Sequence, residues 1–279
     1  MRTRRNNTLL AVPIDFSPYQ AVLLDLDGTI FHEEHALPGA IETIRRLQAE
    51  GRKFACLSNS TTSPLRIALR LQRMGVEVDP DQIYTAAAAA ADYVLERVAT
   101  DHPGVRPRVY NLATEGVHDM LDTLVDWVQT PGEPCHAVIV GTPTGVYATE
   151  ERQRTALMLL RHGALLIGIC ADRVYPSPRG LEFGSGALSS MLAYAANTEP
   201  IFAGKPKPIF FQKLCQRLGV DPAWCVLIGD NLESDIMGAK GVGMRTILTL
   251  TGVTRRRDLL NLPPQAQPDL VVEDLTEVA

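Results

Sequence analysis

Four groups of polar residues stand directly behind short apolar runs, and each could handle a phosphoryl group or a metal ion. The first, Asp25-Leu26-Asp27-Gly28-Thr29, follows Ala21-Val22-Leu23-Leu24. Alternate positions of an extended chain point to opposite sides, so carboxylates at 25 and 27 share a task only through a turn or a common partner. Two acids held close raise each other's pKa unless a cation lies between them. The pattern suits a carboxylate nucleophile, an acid/base carboxyl and a hard metal. It suits equally an Asx-type turn in which Gly28 and Thr29 begin the next segment. The second group, Leu57-Ser58-Asn59-Ser60-Thr61-Thr62, leads into a helix at Pro64. Free N–H groups at a helix start, with Ser and Asn beside them, bind phosphate or serve as a plain cap.

The third group is Gly204-Lys205-Pro206-Lys207-Pro208. A lysine between tight-turn residues is held in place and can neutralise phosphoryl oxygens, or it is a solvated loop side chain. The chain has only five lysines, at 53, 205, 207, 213 and 240, against 22 arginines, so a lysine's position calls for a reason. The fourth group is Gly229-Asp230-Asn231-Leu232-Glu233-Ser234-Asp235, behind Val226-Leu227-Ile228. Asp230 alone reads as a turn and Asp235 alone as an acid favoured at a helix start. Together they can place two carboxylates on one octahedral Mg²⁺.

The elements that must position these groups alternate along the chain. Strands are predicted at 21–24, 54–57, 108–112, 137–140, 165–170, near Ile201, at 225–228 and at 245–250. Helices are predicted over 40–50, from 64 to about 75, through the alanine run 86–91, and over 115–125, 150–162, 187–196, 208–218 and 234–240. Strands alternating with helices imply parallel sheets covered by helices, which bind ligands at the carboxyl ends of their strands. Asp25, Ser58, Lys205 and Asp230 all fall at such ends. Pro/Gly-rich joints lie near 102–107, 130–134 and 176–180.

Composition narrows the class. The 279 residues carry a net charge of −5, which argues against a nucleic-acid polymer or an anionic membrane as partner. No apolar run approaches the length of a membrane span. The Arg-rich start, Met1–Arg5, is followed by an apolar stretch, 9–14, that is short and broken by Pro13, so it reads as a frayed tail. The five cysteines form no C-x-x-C pair or Cys/His cluster, which points to a reducing, cytoplasmic setting. The six histidines show no metal spacing. His32 and His35 follow the first group closely, yet read as surface residues.

In order and placement the four groups resemble the haloacid dehalogenase superfamily, whose motifs read D-x-D-x-T, a strand-end Ser/Thr, a Lys, and G-D-x-x-x-x-D. The long interval between Ser58 and Lys205, with Val138-Ile139-Val140-Gly141 and Gly186-Ala187-Leu188 inside it, is similar to subclass IIA, the NagD-like and 4-nitrophenylphosphatase-like enzymes. The resemblance implies a Rossmann-like, doubly wound α/β core from residues 1–84 and 193–279, with an α/β cap from 85–192 inserted in it. It implies a Mg²⁺-dependent phosphatase acting on a small phosphomonoester, such as a sugar phosphate or nucleoside monophosphate, and a homodimer formed through the cap. Asp25 would be the nucleophile and Asp27 the general acid and base, with its backbone carbonyl on Mg²⁺. Thr29 would orient them, and Ser58 and Asn59 would hold phosphoryl oxygens. Lys205 would balance charge, Asp230 would ligate the metal, and Asp235 would support the metal or Lys205.

The chain departs from the subclass in the cap. Ile169-Cys170-Ala171-Asp172 replaces Thr-Asn-Pro-Asp, Phe183-Gly184 stands where Pro-Gly is common, and Thr142-Pro143 follows Gly141. These changes bear on substrate identity, and Asp172 remains a candidate substrate contact. A phosphomutase on the same fold and a non-catalytic phosphometabolite-binding regulator are the alternative readings. The acid at Asp27 argues against dehalogenation.

Overall fold

The computed structural model describes residues 14–142, 145–147, 149–177 and 180–279. The Met1–Arg5 start, Pro143 and part of the 176–180 joint lie outside them. From the first strand, β1 (Ala21–Asp25), the chain makes a small hairpin, β2 (Phe31–His32) and β3 (His35–Ala36), then α1 (Ala40–Ala49), β4 (Phe54–Ser58), α2 (Pro64–Arg73) and β5 (Ile83–Thr85). There follow α3 (Ala86–Asp101), β6 (Arg108–Leu112), α4 (Glu115–Leu121), β7 (Asp126–Trp127), β8 (Ala137–Val140) and α5 (Glu150–Arg161). Next come β9 (Leu165–Gly168), a hairpin of β10 (Val174–Ser177) and β11 (Gly180–Phe183), α6 (Ser185–Ala196) and β12 (Ile201–Phe202). The chain closes with α7 (Pro208–Leu218), β13 (Cys225–Gly229), α8 (Gly238–Lys240), β14 (Arg245–Thr249) and β15 (Leu270–Val272).

Two parallel sheets result. One has the order β15-β14-β13-β1-β4-β5 and the other β12-β9-β8-β6-β7. In the first, β1 lies between β4 and β13, so the chain winds outward from β1 to one side and later returns to the other. That reversal of strand order opens a crevice at the carboxyl ends of β1, β4 and β13, where ligands bind in such sheets. Both faces of β1 are covered: Ala21 and Leu23 join one apolar cluster, Val22 and Leu24 another. Burial on both sides is why this strand reads as an unbroken apolar run.

Predicted elements and structure agree at β6, β8 and α7, and differ elsewhere for local reasons. The strand expected to run to Cys170 ends at Gly168, because Ile169 turns to accept a hydrogen bond from Gly204 N (2.7 Å). The helix expected to reach residue 125 stops at Leu121, where the chain turns to place Asp126 and Trp127 beside β6. The helix expected over 234–240 is a wide π-helical turn, Leu232–Met237, followed by the short α8. Strands β5, β7 and β15 and both hairpins were not legible, since two to four residues are too few to show a period. The expected boundary at residue 193 falls inside α6, and β12 still pairs with β9, so the second sheet runs on to Phe202.

Candidate active site

Asp25 is the last residue of β1 and is buried; Asp27, two residues on, is exposed. The turn between them is closed by Leu26 O, which accepts from Ile30 N (2.9 Å) and Phe31 N (3.1 Å), and by Gly28 N, which donates to Phe31 O (2.8 Å). Gly28 sits at φ 89°, a backbone state that L side chains rarely adopt. A Cβ there would also stand 2.7 Å from Asp230 Oδ2. Thr29 is fully buried, and its hydroxyl has no hydrogen-bond partner among the described residues.

Asp230 follows β13 and is held by the loop after β14. Val253 N donates to its Oδ2 (2.5 Å), and Thr254 N donates to its carbonyl (3.1 Å). Gly252 lies flat against the same carboxylate, where any side chain would collide with it. The wide π-helical turn returns Asp235 beneath the strand end, with Asn231 N donating to its Oδ2 (3.2 Å). A Cβ on Gly229 would lie 2.6 Å from Asp235, so glycine is what admits the approach.

Lys205 ties these acids together. Its Nζ donates to Asp25 Oδ1 through a short contact and to Asp235 Oδ1 at 2.6 Å, and all three side chains are buried. Burial opposes the ammonium form of Lys205, but Asp235 and Asp25 overcome that and raise its pKa above the ordinary lysine value. Burial raises the Asp25 carboxyl well above the usual range; Asp235 and Asp230 add to the rise, and Lys205 opposes it. Asp230 is pushed up to about 6 by burial and by Asp235.

Carboxylate oxygens of Asp25, Asp230 and Asp235 all lie within 4.8 Å of one another. Three buried carboxylates against one ammonium leave negative charge uncompensated, and oxygen donors so arranged fit a hard divalent cation. The Asp27 carboxylate is not one of this group; it faces solvent with His32 Nδ1 4.0 Å away.

The second group lies across the mouth of the crevice. Ser58 ends β4, and its Oγ accepts from Ser60 N (3.1 Å). Both ends of the Asn59 amide are engaged by the Lys205 backbone: Oδ1 accepts from Lys205 N (2.8 Å) and Nδ2 donates to Lys205 O (3.0 Å). The Asn59 carbonyl in turn accepts from Cys170 Sγ (3.1 Å). Asp172, two residues further, is exposed at the cleft; partial desolvation raises its carboxyl, against the opposing pull of Lys205. The structure thus gathers Asp25, Asp230, Asp235 and Lys205 at one point, sets Asn59 and Ser58 beside it, and leaves Asp27 and Asp172 at the rim. Sequence reasoning missed the Thr251–Thr254 loop that holds Asp230. Its signal was small residues, Thr251 and Gly252, just after a predicted strand.

Comparison with known proteins places these features. Residues 22–124 match the family model described as haloacid dehalogenase-like hydrolase, and residues 202–278 match one described as HAD-hydrolase-like. An acid sugar phosphatase of Staphylococcus aureus is 33% identical over 260 residues, covering 93% of this chain and 96% of that protein. A 5′-nucleotidase of Bacillus subtilis is 28% identical over 93% of this chain and 97% of its own length. A thermostable NPPase of Geobacillus stearothermophilus superimposes with TM-score 0.79 at 28% identity, covering 92% of this chain and 97% of that one.

Proposed function

The chain belongs to the haloacid dehalogenase-like hydrolases of subclass IIA, and from that premise we propose that it is a Mg²⁺-dependent phosphatase of a small phosphomonoester. The observation that carries this reading is Lys205 clamped between Asp25 and Asp235 within a buried cluster of three carboxylates. Similarity to an acid sugar phosphatase and a 5′-nucleotidase supports a sugar phosphate or a nucleotide as substrate.

In this reading an Asp25 oxygen attacks phosphorus, and the bond from phosphorus to the leaving oxygen breaks. Asp27 gives that oxygen its proton, and an aspartyl-phosphate remains on Asp25. Asp27, now a carboxylate, takes a proton from water; the resulting hydroxide attacks phosphorus and frees Asp25 and inorganic phosphate. Lys205 offsets the charge shared by nucleophile and phosphoryl group. Asp25, Asp230, Asp235 and the Asp27 backbone carbonyl would hold or support Mg²⁺, which supplies charge neutralisation at the phosphoryl oxygens. Ser58 and Asn59 would hold phosphoryl oxygens, and the buried Thr29 would orient the carboxylates.

A core of residues 1–84 and a cap inserted after it belong to the same proposal, with the return to the core set after Phe202 because β12 pairs in the second sheet. A homodimer through the cap is supported by exposed Leu181 and Phe183, which share one face of β11. Five free cysteines support a reducing, cytoplasmic location. Asp25→Asn is expected to abolish Mg²⁺-dependent release of inorganic phosphate from 4-nitrophenyl phosphate. Full activity in that variant would remove Asp25 as nucleophile.

A further inference from the structure

Next to Asn59 is a cavity of about 300 Å³, the size of a small polar ligand. Its walls come from the loop after β4, from the ends of β6, β8 and β9, and from β10; they include Ser60, Thr61, Thr114, Thr142, Asp172 and Tyr175. It adjoins the phosphoryl site through Asn59, which lines it and also grips the Lys205 backbone. Asn59 thus links the cavity to the turn that carries Lys205, and through Lys205 Nζ to Asp25.

The chemistry of the walls is one-sided. Six of its ten lining residues carry a hydroxyl, and among the described residues no lysine, arginine or histidine lines the cavity. Asp172 is its single charged residue, and its carboxylate accepts no hydrogen bond within the described structure. Lys205 pulls on Asp172 from outside the lining and Glu233 opposes that pull, but Lys205 Nζ is already engaged by Asp25 and Asp235. The hydroxyls have capacity to spare. Ser60 Oγ accepts from Thr62 N (3.0 Å), which leaves its proton to donate. Thr114 Oγ1 donates to Thr61 O (3.0 Å), which leaves its lone pairs to accept.

We propose that Asp172 selects a neutral, polyhydroxylated leaving group, accepting hydrogen bonds from its hydroxyls, and rejects esters whose leaving group carries a second anion. This inference rests on the phosphatase reading and says which phosphomonoesters that site takes. A carboxylate with free lone pairs pairs well with adjacent hydroxyls. A carboxylate or second phosphate placed there would face Asp172 with no lysine, arginine or histidine among the described lining residues, while the nearby Lys205 is already paired with Asp25 and Asp235, and like-charge juxtaposition suppresses the wrong ligand.

The test compares glycerol 3-phosphate with 3-phosphoglycerate, which differ by a carboxylate in place of a hydroxymethyl group. With Mg²⁺, the native protein is expected to favour the glycerol ester in kcat/KM by about tenfold or more. Raising the ionic strength is expected to narrow that ratio, because salt screens the repulsion. Asp172→Asn keeps the shape and removes the charge, so the ratio is expected to fall several-fold, and Asp172→Lys is expected to invert it. Should either variant fail to fold by circular dichroism, the native ratio and its salt dependence decide. A native ratio near one, a preference for 3-phosphoglycerate, or a ratio unchanged in a folded Asp172→Asn protein overturns the inference. 4-Nitrophenyl phosphate separates the two levels. If it is hydrolysed while the pair is not discriminated, only the selection by Asp172 fails. If no ester is hydrolysed, the phosphatase reading itself fails.

Discussion

Asn59 and Lys205 are joined backbone to side chain, and this pairing changes what Asn59 is expected to do. With Oδ1 and Nδ2 both committed to Lys205, the amide sets where the lysine's chain leaves the turn. Asn59→Asp would still accept from Lys205 N but would meet Lys205 O with no proton between them. A buried acceptor left facing an acceptor costs about 1–3 kcal/mol, so kcat is expected to fall roughly ten- to hundredfold. The inhibition constant of inorganic phosphate separates the roles: it is expected to stay near native if Asn59 positions Lys205, and to rise in parallel if Asn59 holds the phosphoryl group. Protons and metal compete for the same residues. Asp230 is raised to about 6 from an ordinary value of 3.8. For a raised acid, the folded state of the metal-free protein gains stability below the unfolded value and loses it as pH climbs through about 6. In the proposed reading Mg²⁺ would take the place of those protons. The Mg²⁺-induced rise in Tm is therefore expected to be small near pH 4.5 and to grow by pH 7, and a pH-independent rise would exclude Asp230 as a ligand.

At the level of elements, the carboxylates meet because glycines let backbone and side chains approach. Gly229 admits Asp235, while Gly28 and Gly252 flank Asp230. Gly252→Ala would push a methyl group into the Asp230 carboxylate, an overpacking that costs about 1–3 kcal/mol. We expect the Mg²⁺ concentration for half-maximal activity to rise about tenfold or more, in proportion to that cost, with secondary structure by circular dichroism retained. The element carrying Asp235 departs from the predicted one. A regular helix was expected from residue 234, whereas the wide turn from Leu232 carries Asp235 back to the strand end. Asn231 caps that turn by accepting from Glu233 N (2.9 Å) and Ser234 N (3.1 Å).

Across the whole molecule, the second sheet rests on the loop that shapes the active site. Thr114 donates to Thr61, and Gly116 packs so close that a Cβ would stand 2.9 Å from Ser63 N. Arg66 also reaches Glu115 (3.5 Å) and Asp119 (3.4 Å), but these pairs are exposed and contribute little. On the outer hairpin, Phe183 is 80% exposed and Leu181 76%, with Val174 opposite Phe183. If that surface forms the proposed homodimer, Phe183→Asp is expected to convert the sedimenting species from dimer to monomer while each chain stays folded. A native protein that sediments as a monomer would end that reading.

The sequence by itself determined the alternation of strands and helices, the parallel sheets, and four strand-end groups whose residue types announce phosphoryl chemistry. These are local matters: an apolar run buried on both faces shows its composition, and a polar residue ending such a run stands out. Only the tertiary structure decided that Lys205 rather than Lys207 bridges Asp25 and Asp235, across 180 and 30 positions of chain. It also decided that Asn59 serves Lys205, that the Thr251–Thr254 loop secures Asp230, and that β12 closes the second sheet. Each of these depends on the order in which strands assemble. That order is set by packing between segments far apart in the chain, and no local period records it.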